Sequence, residues 1–161
     1  MDQIQYEMRT KVKPLYLVAS KNGLQGVFLR KQPIKSVKTL NRSSAEERIL
    51  SDAVKQLEEY FSGKRKKFDI NFNSSGTDFQ MKVWKELSRI PFGKTVSYKD
   101  IARKIKNPNA VRAVGTANGK NPMCIIVPCH RVIAADGSIG GYGGGIAMKR
   151  QLLDLEKNSL Q

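Results

Sequence analysis

Two adjacent residues can do covalent chemistry together: Cys129 and His130. The 161-residue chain has only two cysteines, Cys124 and Cys129, and a single histidine. A thiol becomes a strong nucleophile only as thiolate, which needs a nearby base or a positive field. His130 can take the proton, and Arg131 adds positive charge. An imidazole in that role needs a carboxylate to orient it; Glu156, near the C-terminal end, is one candidate. From residue types alone, the competing reading is a buried structural thiol beside a hydrogen-bonded imidazole. Two Cys and one His are too few for a closed four-ligand zinc site of those types, and they suggest no disulfide framework.

The elements that must position these groups are legible in outline. Met123–Val127 is an apolar run leading into Pro128-Cys129-His130-Arg131-Val132, and a glycine-rich loop follows over 137–145. A last helix carries Leu152, Leu153 and Leu155, and with them Glu156. Upstream, Phe79, Val83, Leu87 and Ile90 recur at helical spacing until Pro91-Phe92-Gly93. Ser97 caps a predicted helix over 98–105, Asn107-Pro108 breaks it, and Asn109 caps a further helix from Ala110 to about Asn118. Two short helices across a tight turn form a helix-turn-helix pattern.

The first half has a different texture. Residues 15–30 read as a hairpin around Asn22-Gly23, and 31–43 as a polar, basic loop. Ser43 and Ser44 stand three residues before Glu46 and Glu47, a capping-box spacing. The helix that follows puts Leu50, Val54, Leu57 and Phe61 on one face and stops at Ser62-Gly63. Lys64–Lys67 is a basic run with the character of a solvated loop, and Phe68, Ile70 and Phe72 alternate like a half-buried strand. The linker candidate is Asn73-Ser74-Ser75-Gly76-Thr77. It divides the chain into an N-terminal α/β domain, 1–75, and a mostly helical domain, 76–161.

Charge narrows the partner. There are 29 Lys and Arg against 14 Asp and Glu, a formal net charge of +15. The excess is spread: 15 basic against 8 acidic side chains in 1–75, and 14 against 6 in the rest. A body this basic attracts polyanions, nucleic acid first and an anionic membrane surface second. No apolar run is long enough to span a bilayer and the N-terminus lacks a signal-peptide pattern, so an intracellular protein is expected, cytoplasmic in a prokaryote or nuclear in a eukaryote.

The segment from Asn121-Pro122 to Pro128-Cys129-His130-Arg131-Val132 resembles the active-site signature of O6-alkylguanine-DNA alkyltransferases. So do Val83-Trp84, Ile90-Pro91-Phe92-Gly93, Val96-Ser97-Tyr98, Asn107-Pro108, Arg112-Ala113-Val114-Gly115, Gly140-Gly141-Tyr142 and Glu156. The resemblance runs over about residues 77–156, while the first 75 match only in general pattern. It implies a ribonuclease-H-like α/β domain with a small antiparallel sheet and a helix, followed by a winged helix-turn-helix domain.

The implied activity is DNA repair by direct reversal in a single-turnover reaction. The alkyl group of O6-alkylguanine, with O4-alkylthymine as a second candidate, moves irreversibly to Cys129. In the implied roles His130 deprotonates Cys129 through a bridging water, Glu156 orients His130, and Asn121 braces the active-site turn. Tyr98 crowds the target's phosphate and contacts the flipped base. The backbone of Cys129, Val132 and Gly143 bonds the guanine, and Tyr142 walls the pocket. Arg112 enters the base stack, and the small residues Ala110, Ala113, Gly115 and Ala117 let the second helix approach the minor groove. The chemistry fits these roles, because the O6 atom lies inside the duplex and can be attacked only after the nucleotide is flipped out. No cofactor and no metal are implied; the partner is double-stranded DNA, met by a monomer.

Three positions depart from the family pattern. Cys124 stands where proline is common, Gly143 where many members have Ser, and the zinc ligands of some N-terminal domains have no counterpart. The main alternative is an alkyltransferase-like damage-recognition protein without chemistry. Such proteins carry Trp in place of the reactive cysteine, which Cys129 argues against. A plain winged-helix regulator would need neither the Cys129, His130 and Glu156 set nor Arg112.

Overall fold

The computed structural model describes residues 2–160. The chain separates into two compact units that part between Ser74 and Ser75.

The first unit is a four-stranded sheet with one helix. Its strands are β1 (Ile4–Met8), β2 (Leu15–Ser20), β3 (Gly23–Phe28) and β4 (Lys35–Val37), in the order β3-β2-β1-β4. β2 pairs antiparallel with β1 and β3, whereas β1 pairs parallel with β4, so the sheet is mixed where an antiparallel one was expected. The fourth strand lies in the segment whose polar sequence predicts a loop. Buried Gln5 anchors the residues leading into it: its carboxamide donates to Gln32 O at 2.7 Å and Ile34 O at 2.8 Å and accepts from Gln32 N at 3.0 Å.

Helix α1 (Ala45–Phe61) starts at Ser44, whose hydroxyl accepts the Glu47 N–H at 3.1 Å. It buries Leu50, Ala53, Leu57, Tyr60 and Phe61; Val54, expected on this face, is only half-buried. The strand expected over Phe68, Ile70 and Phe72 reduces to a single bridge between Phe72 and Leu24. Phe68 instead packs on Tyr60, with ring centroids 5.6 Å apart.

The second unit is mostly helical. Helix α2 (Asp78–Leu87) opens with a reciprocal capping box between Thr77 and Gln80 and buries Val83, Trp84 and Leu87. A short strand, β5 (Val96–Ser97), leads into α3 (Tyr98–Lys104), capped by the Ser97–Asp100 box. After a left-handed Lys106 (φ 61°) the chain enters α4 (Val111–Gly119). Asn109 does not cap α4. Ala110 occupies that position, and no side chain bonds the first-turn N–H groups. Trp84 locks α2 to α4 by donating its indole N–H to Ala117 O at 2.9 Å. β6 (Val132–Ile133) pairs parallel with β5, and α5 (Ile146–Asn158) closes the unit.

Candidate active site

The segment between α4 and β6 is built by one amide side chain. Asn121 Nδ2 donates to Val127 O at 2.8 Å and to Met123 O at 3.4 Å, while its Oδ1 accepts from Met123 N at 3.0 Å. Inside this bracket Ile125 adopts φ 72°, unusual for a β-branched residue. The backbone closes on itself through Ile126 N to Cys124 O, 2.8 Å, and Val127 N to Met123 O, 2.9 Å. The apolar run thus forms a tight buried turn, held by polar groups that apolar periodicity does not reveal. It delivers Cys129 at the head of a single 3-10 turn, Cys129–Arg131.

Cys129 is 7% exposed, and the Asn118 carboxamide donates to its carbonyl at 3.3 Å. Burial pushes its thiol above the ordinary value. Against that work hydrogen bonds from Asn121 and Tyr142, the charge of Lys149 and a backbone N–H. The imidazole of His130 is fully buried, and its Nε2 lies 2.6 Å from Glu156 Oε2. Arg131 reaches the same carboxylate, with Nε 2.8 Å from Oε1 and Nη2 3.1 Å from Oε2, and the Gly93 N–H donates to Oε1 at 3.0 Å. Burial alone would raise the Glu156 carboxyl. The hydrogen bond of His130, its charge in acid where the ring is protonated, and then the bonds and charge of Arg131 more than offset it and hold the group at about 2.

Glu156 is therefore ionised at neutral pH. Burial lowers the His130 pKa and keeps the ring neutral. A neutral imidazole has one N–H and one bare nitrogen. With its N–H on Nε2 facing an obligate acceptor, the lone pair is on Nδ1, which has no hydrogen-bond partner among the described residues. The ring is thus a neutral base in the residue after the thiol.

A second cation completes the group. Lys149, on α5, is fully buried, and its ammonium donates to Val132 O at 2.6 Å and Gly141 O at 3.1 Å. Among the described residues no carboxylate pairs with it. It lies 5.8 Å from the centroid of the Tyr98 ring. Burial lowers its pKa, and the only opposing influence is Cys129. Buried charges are normally paired, and the group that would pair with this one is the Cys129 thiol once it ionises.

Comparison with known proteins points the same way. Residues 78–158 match the family model described as "6-O-methylguanine DNA methyltransferase, DNA binding domain", and residues 7–73 the one described as its "ribonuclease-like domain". A Methanosarcina mazei protein named methylated-DNA–protein-cysteine methyltransferase is 44% identical over 154 residues, 96% of this chain and 97% of its own. A Mycobacterium tuberculosis protein of the same name is 58% identical over 108 residues, 67% of this chain and 66% of its own. The chain belongs to the methylated-DNA–protein-cysteine methyltransferase family.

The crystal structure of Mycobacterium tuberculosis OGT in complex with DNA is 42% identical to this chain and superposes with a TM-score of 0.86, covering 97% of this chain and 94% of that one. An O6-methylguanine DNA methyltransferase from Methanococcus jannaschii gives 30% identity and a TM-score of 0.65, with 94% and 92% covered. The fold is thus that of the family, a ribonuclease-like domain with a small sheet followed by a helical DNA-binding domain.

Against that family frame, the remaining site residues fall into two groups. Tyr98 is half-buried, and a Cβ placed on Gly140 would sit 3.2 Å from its hydroxyl, while one on Gly115 would lie 3.9 Å from its ring. Tyr98 therefore lies between α4 and the glycine-rich loop, on the Cys129 side. Tyr142 meets Cys124, Oη to Sγ 3.0 Å. Val132 is fully buried, and its carbonyl already holds Lys149. The Cys129 N–H is spent on Val127 O at 2.8 Å. Gly143 lies exposed in the loop. Arg112 and Ala113 are exposed on α4 and Ala110 is half-buried at its start. Ala117, grouped with the small residues expected to face DNA, is 2% exposed and turned inward against Trp84.

One expectation about the site needs correcting. Arg131 does not lend its charge to the thiol. Its guanidinium is taken up by Glu156 and by Ile90 O, 2.6 Å away. The cation beside Cys129 is Lys149, which sequence reasoning missed. Its signal was available: Lys149, Leu152 and Glu156 recur at i, i+3 and i+7, so two charged residues share the buried stripe of an amphipathic helix. Among the described residues no group of His, Cys, Asp or Glu is placed to hold a metal ion.

Proposed function

We propose that this protein repairs O6-alkylguanine in double-stranded DNA by transferring the alkyl group to its own Cys129. The bond between the alkyl carbon and O6 breaks as a new bond forms from that carbon to Sγ. The electron pair stays on the base, which regains a proton at N1. The observation that carries this reading is the buried 2.6 Å contact between His130 Nε2 and Glu156 Oε2, with Nδ1 left without a partner among the described residues. An ionised carboxylate holding Nε2–H leaves Nδ1 as a base for the thiol proton. Lys149 supplies the positive field for the thiolate, replacing solvent with a fixed charge.

In this reading Asn121 is a catalytic-site brace, and Tyr98, Val132, Tyr142 and Gly143 line the pocket for the flipped base. Arg112 fills the vacated stack, with Ala110, Ala113 and Gly115 allowing α4 to approach the groove. Residues 76–161 carry this chemistry and residues 1–75 form the accompanying domain. The protein acts as a monomer, inside the cell where its DNA lies, with no cofactor. Among the described residues no helix is long and apolar enough to cross a membrane.

Cys129→Ala tests the assignment. The change removes one sulfur and no phosphate-binding charge. Transfer from an O6-methylguanine duplex should vanish while affinity for that duplex stays within about twofold. Retained transfer would place the acceptor elsewhere.

A further inference from the structure

We propose that Cys124 is a positioning residue for this transfer: its thiol donates to the Tyr142 hydroxyl and so turns the single phenolic proton toward the Cys129 sulfur. The inference rests on Cys129 being the acceptor. Its basis is one phenol between two sulfurs. Tyr142 Oη lies 3.0 Å from Cys124 Sγ, and the same side chain hydrogen-bonds Cys129. Neither partner is loosely held. Cys124 is 5% exposed on the turn bracketed by Asn121. Tyr142 sits between Gly141, whose carbonyl takes Lys149, and Gly145, whose N–H donates to Tyr142 O at 3.0 Å.

The direction of the two bonds follows from the protons available. Burial first, and the neighbouring Cys129 second, push the Cys124 thiol far above its ordinary range, so it keeps its S–H at any working pH. Tyr142 has one hydroxyl proton and two sulfurs within reach. Once Cys129 has given up its proton, it is a much stronger acceptor than the neutral Cys124 thiol, because hydrogen bonds to charged groups are about twice as strong as neutral ones. In that reactive state the phenolic proton goes to Cys129, and the Tyr142 oxygen is left to accept from Cys124. A residue without a donor at 124 would remove this bond and its hold on the direction of the Tyr142 proton. The groups facing the Cys129 sulfur are Lys149 from α5, Tyr98 from α3, Tyr142 from the loop, and Asn121 and Cys124 from the turn. Of these, Cys124 is the one that acts through another side chain and keeps its proton throughout.

The test is the single-turnover rate at saturating O6-methylguanine duplex, followed from about pH 5.5 to about pH 9. The proteins are the parent, Cys124→Ala, the better-filling Cys124→Val, Cys124→Ser, Tyr142→Phe and Tyr142→Phe combined with Cys124→Ala. Losing one orienting hydrogen bond should slow Cys124→Ala and Cys124→Val about three- to tenfold near neutral pH. The deficit should close at high pH, and Cys124→Ser, which keeps a donor, should recover most of the rate. In the Tyr142→Phe background the alanine change should add less than about twofold. A deficit equal at every pH, or fully additive with Tyr142→Phe, would overturn the proposal and leave Cys124 as packing. A parent that transfers no methyl group would instead fail at the underlying reading.

Discussion

His130 and Glu156 meet at 2.6 Å, from Nε2 to Oε2, and both are buried to within 1% of full coverage. They come from a 3-10 turn and from the last helix, 26 positions apart, and Arg131 binds both oxygens of the same carboxylate. The carboxylate therefore fixes both the tautomer of the base and the seat of α5 against the active-site turn.

Stability should consequently fall in two steps on acidification. The folded His130 pKa is lowered, so the unfolded chain binds the imidazole proton first. Stability is lost as pH falls below about 6.5, the unfolded value. The folded Glu156 pKa is also lowered, to about 2, so its contribution is complete above about 4.5 and is lost as pH falls from there toward 2. Melting temperature against pH reads both steps. Glu156→Gln should remove the lower one and cost about 3–5 kcal/mol at neutral pH, because it leaves Arg131 without its buried partner. A flat profile between pH 7 and pH 3 would contradict the assignment of charges.

Lys149→Met should slow transfer about tenfold or more at neutral pH and by much less at high pH. It removes the positive charge that favours the thiolate but leaves His130 in place. The check is the pH midpoint of single-turnover transfer, which should move upward. An unchanged midpoint with uniformly lower rate would mean that Lys149 only holds the carbonyls of Val132 and Gly141.

Arg112→Ala should impair repair in duplex DNA far more than reaction with free O6-benzylguanine. The residue is exposed and on the far side of α4 from the buried Val114 and Ala117, and it is assigned to the extruded state of the duplex. Extrusion costs a few kcal/mol, which corresponds to about 10- to 100-fold in rate if part of it is lost. Free base needs no extrusion. Equal losses on both substrates would show that Arg112 supports the pocket.

What the sequence made legible was what local patterns encode. The caps at Ser44 and Ser97, the amphipathic α1 and α2, and the adjacency of Cys129 and His130 all act over a few residues. The strand β4 was hidden because β1, far from it in sequence, pairs with it, and Gln5 of β1 anchors the segment leading into it. Arg131 and Lys149 were hidden for the same reason. Which of two neighbouring cations faces a thiol is decided by where α5 docks, and adjacency in the chain favoured the wrong one. The strand expected at Phe68–Phe72 failed because alternation needs a partner strand, and only Leu24 offers one.

The central claim is that Cys129 accepts the alkyl group and is consumed. An S-alkylcysteine has no ionisable proton, and neither His130 nor Glu156 can cleave a carbon–sulfur bond. The measurement is repaired guanine per protein with O6-methylguanine duplex in large excess, combined with the mass of the peptide containing Cys129. The account predicts a plateau at one guanine per protein molecule and one added methyl group on Cys129, absent from Cys124. A yield that climbs past one and keeps rising with time, or an unmodified Cys129 at the plateau, would contradict it.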